Sequence, residues 1–380
     1  MNNKDEINVS EIIIVILIII IIFVCCYFYK NSNNDTNYNN CYNLQNNIID
    51  CLKLTAKNNP NKCALKIKIN KNEWKDITYL EYYKNVYNVA ESIYYWLKTN
   101  ATIGIIGRTS PGSIYSLLGG LMNNGRVICI DDNTTNDYTD IINKYNIELL
   151  IIEGNRQLKK LINKDIQTVS LIVYYSPIKE NMIEYFDIPL ISMGNFLTKR
   201  KNIKKNNKNN MLNVIINYSN NKTVSLTHNE IIKSSLNFLN SFKEHTLHNE
   251  NIISFHSHTN IYYQLIDIFI PIITSSTVWL YNKSDLSKLY KTIKQVNPTI
   301  ILADTHVWNL ILKTKQKTTK QNNLIDNLFN NTTDNLINYG LDKCKISISF
   351  DKITMNNKNF FKSIGLNIHE LNTFSFYKMF

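Results

Sequence analysis

Glycine and proline are scarce in this chain of 380 residues, which contains ten glycines and six prolines. Their scarcity excludes collagen-like and Pro/Gly-rich disordered proteins. Charged residues are also few, at 19%, whereas hydrophobic residues reach 44%, so the chain has enough apolar material for a sizeable core. The seven cysteines lack the paired spacing of a zinc site or a secreted disulfide framework, and we expect reduced thiols.

The chain is basic, with 42 Lys and Arg against 30 Asp and Glu and a formal net charge of +12. Asparagine, isoleucine and lysine are all over-used, as A/T-only codons favour. Nucleic-acid binding needs basic residues gathered on one face, whereas these are spread through Asn-rich segments. We therefore expect no nucleic-acid partner.

An uncharged apolar run extends from Ile12 to Tyr29. As a helix it would be about 27 Å long, close to the roughly 30 Å thickness of the bilayer hydrocarbon. The residues before it are mainly acidic and no small-residue cleavage site follows, which favours an uncleaved anchor over a signal peptide. Lys30 comes directly after the run, so the positive-inside bias places the body in the cytosol. The prediction is a single-pass protein of an endoplasmic-reticulum-like or virion membrane.

Short apolar strands alternate with amphipathic helices along the remainder of the chain. Thr78 and Glu81 form a capping box at the start of a helical stripe, and an apolar strand follows at 101–106. This alternation predicts an α/β fold of two successive doubly wound βαβ subdomains with parallel sheets. The predicted divisions are a flank (1–11), a transmembrane helix (12–29), an Asn-rich tether (30–54), a first subdomain (55–198), a basic linker (199–210) and a second subdomain (211–380).

Five fragments carry a family resemblance by their order and spacing: 74–79, 103–107, 222–229, 307–308 and 365–368. Together they resemble the AMP-forming acyl-CoA synthetases of the adenylate-forming superfamily, most of all the long-chain and very-long-chain, bubblegum-like branch. The resemblance implies the N-terminal adenylation domain of such an enzyme, with the C-terminal lysine domain absent. It also implies chemistry that uses ATP, Mg²⁺ and coenzyme A to activate a long-chain fatty acid.

The phosphate loop of that family reads Tyr-Thr-Ser-Gly-Thr-Thr-Gly-x-Pro-Lys-Gly-Val, and its glycines allow the backbone to approach the phosphates. The corresponding segment here is about five residues shorter and contains no glycine. A loop of this length cannot encircle a triphosphate, although Lys222 matches the loop lysine, and Thr227 and His228 are interpreted as strand and cap packing. The resemblance places the vestigial loop positions at Tyr218, Ser219, Asn220, Asn221, Lys222, Thr223, Thr227 and His228.

Two further family positions are altered. In the region resembling the fatty-acid gate, Asn260 replaces the expected histidine. Lys378 falls where the family has its Mg²⁺-binding carboxylate, and an ammonium group repels a cation. An apolar acyl tunnel tolerates substitution better than a phosphate cradle does, so acyl-chain binding remains an expectation.

Four histidines lie within fourteen positions, and His256 and His258 alternate onto one face of a predicted strand. No cysteine or carboxylate completes a zinc set at typical spacing, so ordinary histidines are favoured and no metal site is assigned. The other two members of the set are His245 and His248.

These features predict a membrane-anchored pseudoenzyme that binds an acyl chain or acts as a scaffold, for instance for an intact synthetase. We assign no catalytic residue and no cofactor, and we do not expect ligase activity from this chain alone. One alternative is half of a split long-chain fatty-acid–CoA ligase, completed by a second polypeptide. Another is a structural membrane protein of a large DNA virus or an A/T-rich protist.

Overall fold

The computed structural model describes residues 20–23, 47–70, 73–132, 137–203, 214–219, 222–245, 247–281, 288–321 and 336–373. Within these ranges no helix is both long enough and apolar enough to cross a bilayer. The transmembrane helix predicted at 12–29 lies outside the described residues, except for residues 20–23, which are helical.

Strands and helices alternate through the first half of the body. The elements are α1 (Ile48–Asn58), β1 (Cys63–Lys68), β2 (Trp74–Thr78), α2 (Tyr79–Leu97), β3 (Thr102–Ile106), α3 (Pro111–Met122), β4 (Arg126–Ile130), α4 (Thr139–Tyr145), β5 (Leu149–Ile152), α5 (Asn155–Leu161), β6 (Leu171–Tyr174), a 3₁₀ helix (Glu180–Tyr185), β7 (Leu190–Ser192) and α6 (Met193–Thr198).

The same alternation continues in the second half, where a π-helical turn interrupts one helix. The elements are β8 (Val214–Ser219), β9 (Lys222–Thr227), α7 (His228–Ser241), β10 (Asn251–Ser254), α8 (Ile261–Gln264), the π-helical turn (Leu265–Phe269), α9 (Ile270–Thr274), β11 (Thr277–Leu280), α10 (Leu289–Val296), β12 (Ile300–Ala303), α11 (Thr305–Gln321), a 3₁₀ helix (Leu336–Tyr339), β13 (Ile346–Ser349), α12 (Met355–Ser363), β14 (Ile368–Glu370) and a last 3₁₀ turn (Leu371–Thr373).

The strands form two sheets of seven, each with six parallel strands and one antiparallel strand at an end. We call the sheet of order β7-β6-β5-β3-β4-β8-β9 the first sheet and that of order β14-β13-β12-β10-β11-β1-β2 the second sheet. The inner strands are apolar and almost completely buried, as in parallel sheets covered on both faces; examples are β3, β4 and β5 of the first sheet and β12 of the second. The α/β class with parallel sheets is confirmed.

Each sheet contains strands from both halves of the sequence. The prediction of two subdomains that follow one another along the chain is therefore corrected. Strands β1 and β2 precede the first sheet in sequence but join the second, where Leu65 pairs with Val278. Strands β8 and β9 follow the predicted linker at 199–210 but join the first sheet, where Val127 pairs with Ile215. Hydrophobic periodicity locates strands, but it does not specify partners so distant in sequence.

The capping box predicted at the start of α2 is present. The Thr78 hydroxyl accepts a hydrogen bond from the Glu81 N–H at 3.2 Å, and the Glu81 carboxylate accepts one from the Thr78 N–H at 2.8 Å. The helix then packs its buried side against α3 so closely that Gly119 of α3 leaves no room for a side chain. A Cβ there would lie 2.7 Å from Val89 Cγ1 and 3.1 Å from the Val86 carbonyl oxygen.

We predict that Gly119→Ala lowers the free energy of unfolding by about 1–3 kcal/mol, because the added methyl group overpacks the contact between α2 and α3. Gly194→Ala in α6 is the matched control, since the nearest atom to its new Cβ is 3.8 Å away. Alanine there should stabilise the helix by up to about 1 kcal/mol. Urea unfolding of both variants measures the difference, and equal shifts would contradict the close packing.

Candidate functional site

The carboxyl ends of the two sheets meet at Thr109, in the loop that follows β3. Its hydroxyl donates a hydrogen bond to the His256 carbonyl oxygen at 2.7 Å and accepts one from the His258 N–H at 3.2 Å. Both histidines lie in the loop that follows β10. Open α/β sheets bind ligands outside the carboxyl ends of their strands, so this junction is the candidate site.

His258 lies in a buried polar group at the junction. Its Nε2 is 3.4 Å from the Ser254 hydroxyl and 3.6 Å from the Asp267 carboxylate, and all three side chains are buried. A Ser-His-Asp triad uses the two ring nitrogens for different partners, whereas here both partners face the same nitrogen. The geometry therefore favours a structural polar cluster over a nucleophilic triad.

Gln264 of α8 connects this cluster to the first sheet. Its side-chain amide donates to the His258 carbonyl oxygen and lies 3.5 Å from the Cys129 sulfur in β4. Burial raises the pKa of Cys129 to about 12, despite the hydrogen bond from Gln264. The thiol is therefore protonated at neutral pH and unsuited to act as a nucleophile.

A small cavity lies beside the cluster. The volume of this cavity that the centre of a water molecule can occupy is about 20 Å³. That is room for a water molecule but not for a nucleotide or an acyl chain. The lining mixes apolar and hydroxyl side chains and consists of Ile105, Gly107, Thr109, Ser113, Leu117, Cys129, His258 and Thr259.

Aromatic rings occupy the carboxyl end of the second sheet. The His256 ring stacks on Tyr263 with a centroid distance of 4.1 Å, and Tyr263 in turn stacks on Phe350 at 5.6 Å. Burial lowers the pKa of His256, and the nearby carboxylates of Asp304 and Asp267 only partly oppose this effect. The ring is therefore neutral near pH 7, and its Nε2 has no hydrogen-bond partner among the described residues.

Most of the predicted phosphate-loop positions lie on strands β8 and β9. Antiparallel pairing of β8 with β9 continues to Tyr218 opposite Thr223 and finally Ser219 opposite Lys222. Only two residues, Asn220 and Asn221, separate the last pair, and they lie outside the described residues. Both edges of β8 are thus paired, with β4 and with β9, whereas β9 is the end strand of the first sheet and pairs along one edge only.

Thr227 and His228 end the hairpin and begin α7. Thr227 is the N-cap: its hydroxyl accepts from the Glu230 N–H at 3.3 Å, and the Glu230 carboxylate accepts from the Thr227 N–H at 2.7 Å. His228 is buried, and neither ring nitrogen has a hydrogen-bond partner in the described part of the chain. Burial lowers the pKa of His228 to about 4.

The other predicted positions are Asn260, Lys378 and the two histidines His256 and His258. Asn260 caps α8, where its side-chain oxygen accepts from the Tyr262 N–H at 2.9 Å. Lys378 lies outside the described residues. His256 and His258 follow the end of β10 at Ser254 rather than alternating along a strand, which corrects that prediction. Within the described ranges no three His, Cys, Asp or Glu side chains are grouped to hold a metal ion.

Comparison with known proteins identifies the family. The family model for AMP-binding enzymes matches residues 52–328, most of the body. The chain belongs to the AMP-binding enzyme family. Within that family the curated relatives include the long-chain-fatty-acid–CoA ligase ACSBG2 of Homo sapiens, 24% identical over 258 residues, which are 64% of this chain and 38% of that protein. The Rattus norvegicus protein of the same name is 26% identical over 276 residues, covering 67% of this chain and 41% of that protein.

The bubblegum-like resemblance is thereby confirmed, and the chain spans about two fifths of the length of the curated relatives it matches. Solved structures of other proteins share the fold. The A domain of carboxylic acid reductase from Segniliparus rugosus, in complex with AMP and a co-purified carboxylic acid, has a TM-score of 0.70 at 10% identity, over 88% of this chain and 61% of that chain. The inhibitor-bound N-terminal domain of FACL13 from Mycobacterium tuberculosis has a TM-score of 0.66 at 10% identity, over 85% and 75%.

Several residues of the junction were not singled out from the sequence. All four are ordinary residue types with no spacing motif: Thr109 and Ser254 lie at or just after the ends of parallel strands, and Tyr263 and Asp267 lie on the helical segment that follows β10. Recognising such positions requires knowledge of which strands are neighbours, and the pairings of β10 join residues far apart in the chain.

We predict that His228→Leu weakens the acid sensitivity of folding. The pKa of His228 falls from its ordinary value of 6.5 to about 4 in the folded protein. Between these values the unfolded chain binds the proton and the folded chain does not, so stability falls as the pH decreases. The group contributes a slope of about 1.4 kcal/mol per pH unit, which the variant should lose. Urea unfolding at pH 7, 6 and 5 measures it.

His306→Leu is the control, because His306 is exposed. It should leave the pH dependence of unfolding unchanged. If the free energy of unfolding decreased equally in the wild type and in His228→Leu as the pH is lowered, the burial of a neutral imidazole would be contradicted.

Proposed function

We propose that this AMP-binding family protein is a membrane-anchored pseudoenzyme, an acyl-CoA synthetase-like module that binds an acyl chain or serves as a scaffold. The observation that carries the proposal is the antiparallel pairing of β8 with β9. A phosphate cradle needs unpaired N–H groups that converge on the ligand and residues that adopt positive φ. Here β8 and β9 pair as far as Ser219 and Lys222, which leaves only two residues between the paired strands, and no glycine occurs between Gly194 and Gly340.

The side chains that occupy the carboxyl end of the second sheet support the same proposal. His256, Tyr263 and Phe350 stack at the carboxyl end of the second sheet, and the adjoining cavity holds little more than a water molecule. Phosphoryl-transfer chemistry depends on positioning and on charge neutralisation around the phosphates. A neutral imidazole packed between aromatic rings supplies neither.

Acyl-chain binding is supported by the relatives and by the apolar part of the cavity lining. The curated relatives are named long-chain-fatty-acid–CoA ligases. Ile105 and Leu117 face the cavity beside β3 and α3, and apolar linings tolerate sequence change better than polar cradles do. Because the cavity is small, an acyl chain must open it on binding.

Membrane attachment and cytosolic placement rest on the uncharged run at 12–29 and on the lysine that follows it. The run is apolar enough to hold one helix in a bilayer. An acyl-chain-binding body at a membrane surface would lie next to the pool of lipids from which acyl chains come.

We predict no ATP–pyrophosphate exchange above background when the full chain, in detergent micelles, is given palmitate, ATP and Mg²⁺. Human ACSBG2 under the same conditions is the positive control. Exchange that Lys222→Ala abolishes would overturn the pseudoenzyme proposal, because it would require a working phosphate site at the hairpin. Exchange that develops only with a second polypeptide would favour the split ligase.

We predict that fatty acid co-purifies with the full chain and that Leu117→Phe reduces its amount severalfold. Leu117 lines the cavity, whereas its buried neighbour Leu118 does not, so Leu118→Phe is the matched control for overpacking α3. Mass spectrometry of extracted lipid, normalised to folded protein, measures both. Wild-type protein free of fatty acid would exclude acyl-chain binding and leave the scaffold role.

A further inference from the structure

A short basic segment crosses the surface of α2 after the end of α6. The Lys201 N–H donates to the Glu91 carbonyl oxygen at 3.3 Å, and the Arg200 guanidinium donates to the Asn88 side-chain oxygen at 2.6 Å. Lys199, Arg200 and Lys201 are all exposed. These two hydrogen bonds hold three consecutive cationic residues against one face of the helix.

The C-terminal end of α2 carries two exposed aromatic rings, Tyr95 on this face and Trp96 directly after it. Asn88, Glu91 and Tyr95 are spaced by three and four residues and therefore share one stripe of the helix. Tyr95 is 41% exposed and the adjacent Trp96 is 39% exposed, and their rings meet edge to face at 5.4 Å. The aromatic pair lies one helical turn beyond the point where the basic segment is held.

The charge at this surface is not neutralised. Within the described ranges no acidic side chain forms an ion pair with Lys199, Arg200 or Lys201. The Glu91 side chain is buried, with 8% exposure, so its carboxylate does not face the solvent beside them. The surface thus presents positive charge next to amphipathic rings.

We propose that this basic–aromatic patch, formed by Tyr95, Trp96, Lys199, Arg200 and Lys201, docks on an anionic lipid bilayer. Tyrosine and tryptophan favour the interface between lipid headgroups and acyl chains, because each ring has an apolar body and a polar tip. Basic side chains near the surface of an anionic leaflet each contribute attraction. An acidic protein would satisfy the charge but would not by itself select two exposed rings of this kind.

The patch lies outside the residues of the candidate site, and its role does not depend on whether the chain is catalytic. Docking at the patch would fix how the body faces the bilayer.

The test measures how strongly brominated lipids quench the fluorescence of Trp96. The full chain is reconstituted in nanodiscs that contain these lipids. The chain has four tryptophans, so the Trp96 signal is the difference between wild type and Trp96→Phe. We expect strong quenching with phosphatidylserine and weak quenching with phosphatidylcholine alone. Lys199→Glu combined with Arg200→Glu and Lys201→Glu should shift the ratio of docked to undocked protein by about fivefold or more for each cation removed.

The matched control reverses the charge of three exposed lysines outside the patch and should leave quenching unchanged. These are Lys343, Lys352 and Lys362. Equal quenching in both lipids, or quenching that survives charge reversal at the patch, would overturn the proposal. Binding of poly-glutamate in detergent without quenching in anionic nanodiscs would also overturn it and assign the patch to an acidic protein partner.

Discussion

The hydroxyl of Thr109 holds the carboxyl ends of the two sheets together. It bridges the loop after β3 to the loop after β10, through the His256 carbonyl oxygen and the His258 N–H. An unpaired backbone group buried at such a junction costs about 1–3 kcal/mol, so one side chain satisfies two costly groups. The cavity, the polar cluster around His258 and the aromatic stack on His256 all lie beside this bridge.

The β8–β9 hairpin illustrates a physical conflict between regular pairing and ligand binding. A backbone N–H that pairs across a strand ladder is not available to a phosphate oxygen. A glycine-rich loop stays unpaired because its residues favour turns with positive φ, whereas Lys222–Thr227 is a run that extends the ladder. A segment that contains no glycine and leaves two residues between the paired strands therefore favours the ladder over an open loop.

Much of the fold was predictable from local patterns. The capping box at Thr78 and Glu81 marked the start of α2, and the apolar run at 101–106 marked β3, which is Thr102–Ile106. The order of several weak fragments was enough to identify the acyl-CoA synthetase resemblance, which the family match confirmed. Short strands such as β1 and β13 were missed, since four to six residues carry little periodicity.

By itself, the sequence determined the alternation of strands and helices, the family and the loss of glycine around Lys222, because each is written in neighbouring residues. Tertiary structure alone decided that β1 and β2 join the second sheet and β8 and β9 the first. It also decided that Thr109 meets His256 across 147 positions of sequence. Such contacts follow from which apolar faces pack together, and no local pattern records that choice.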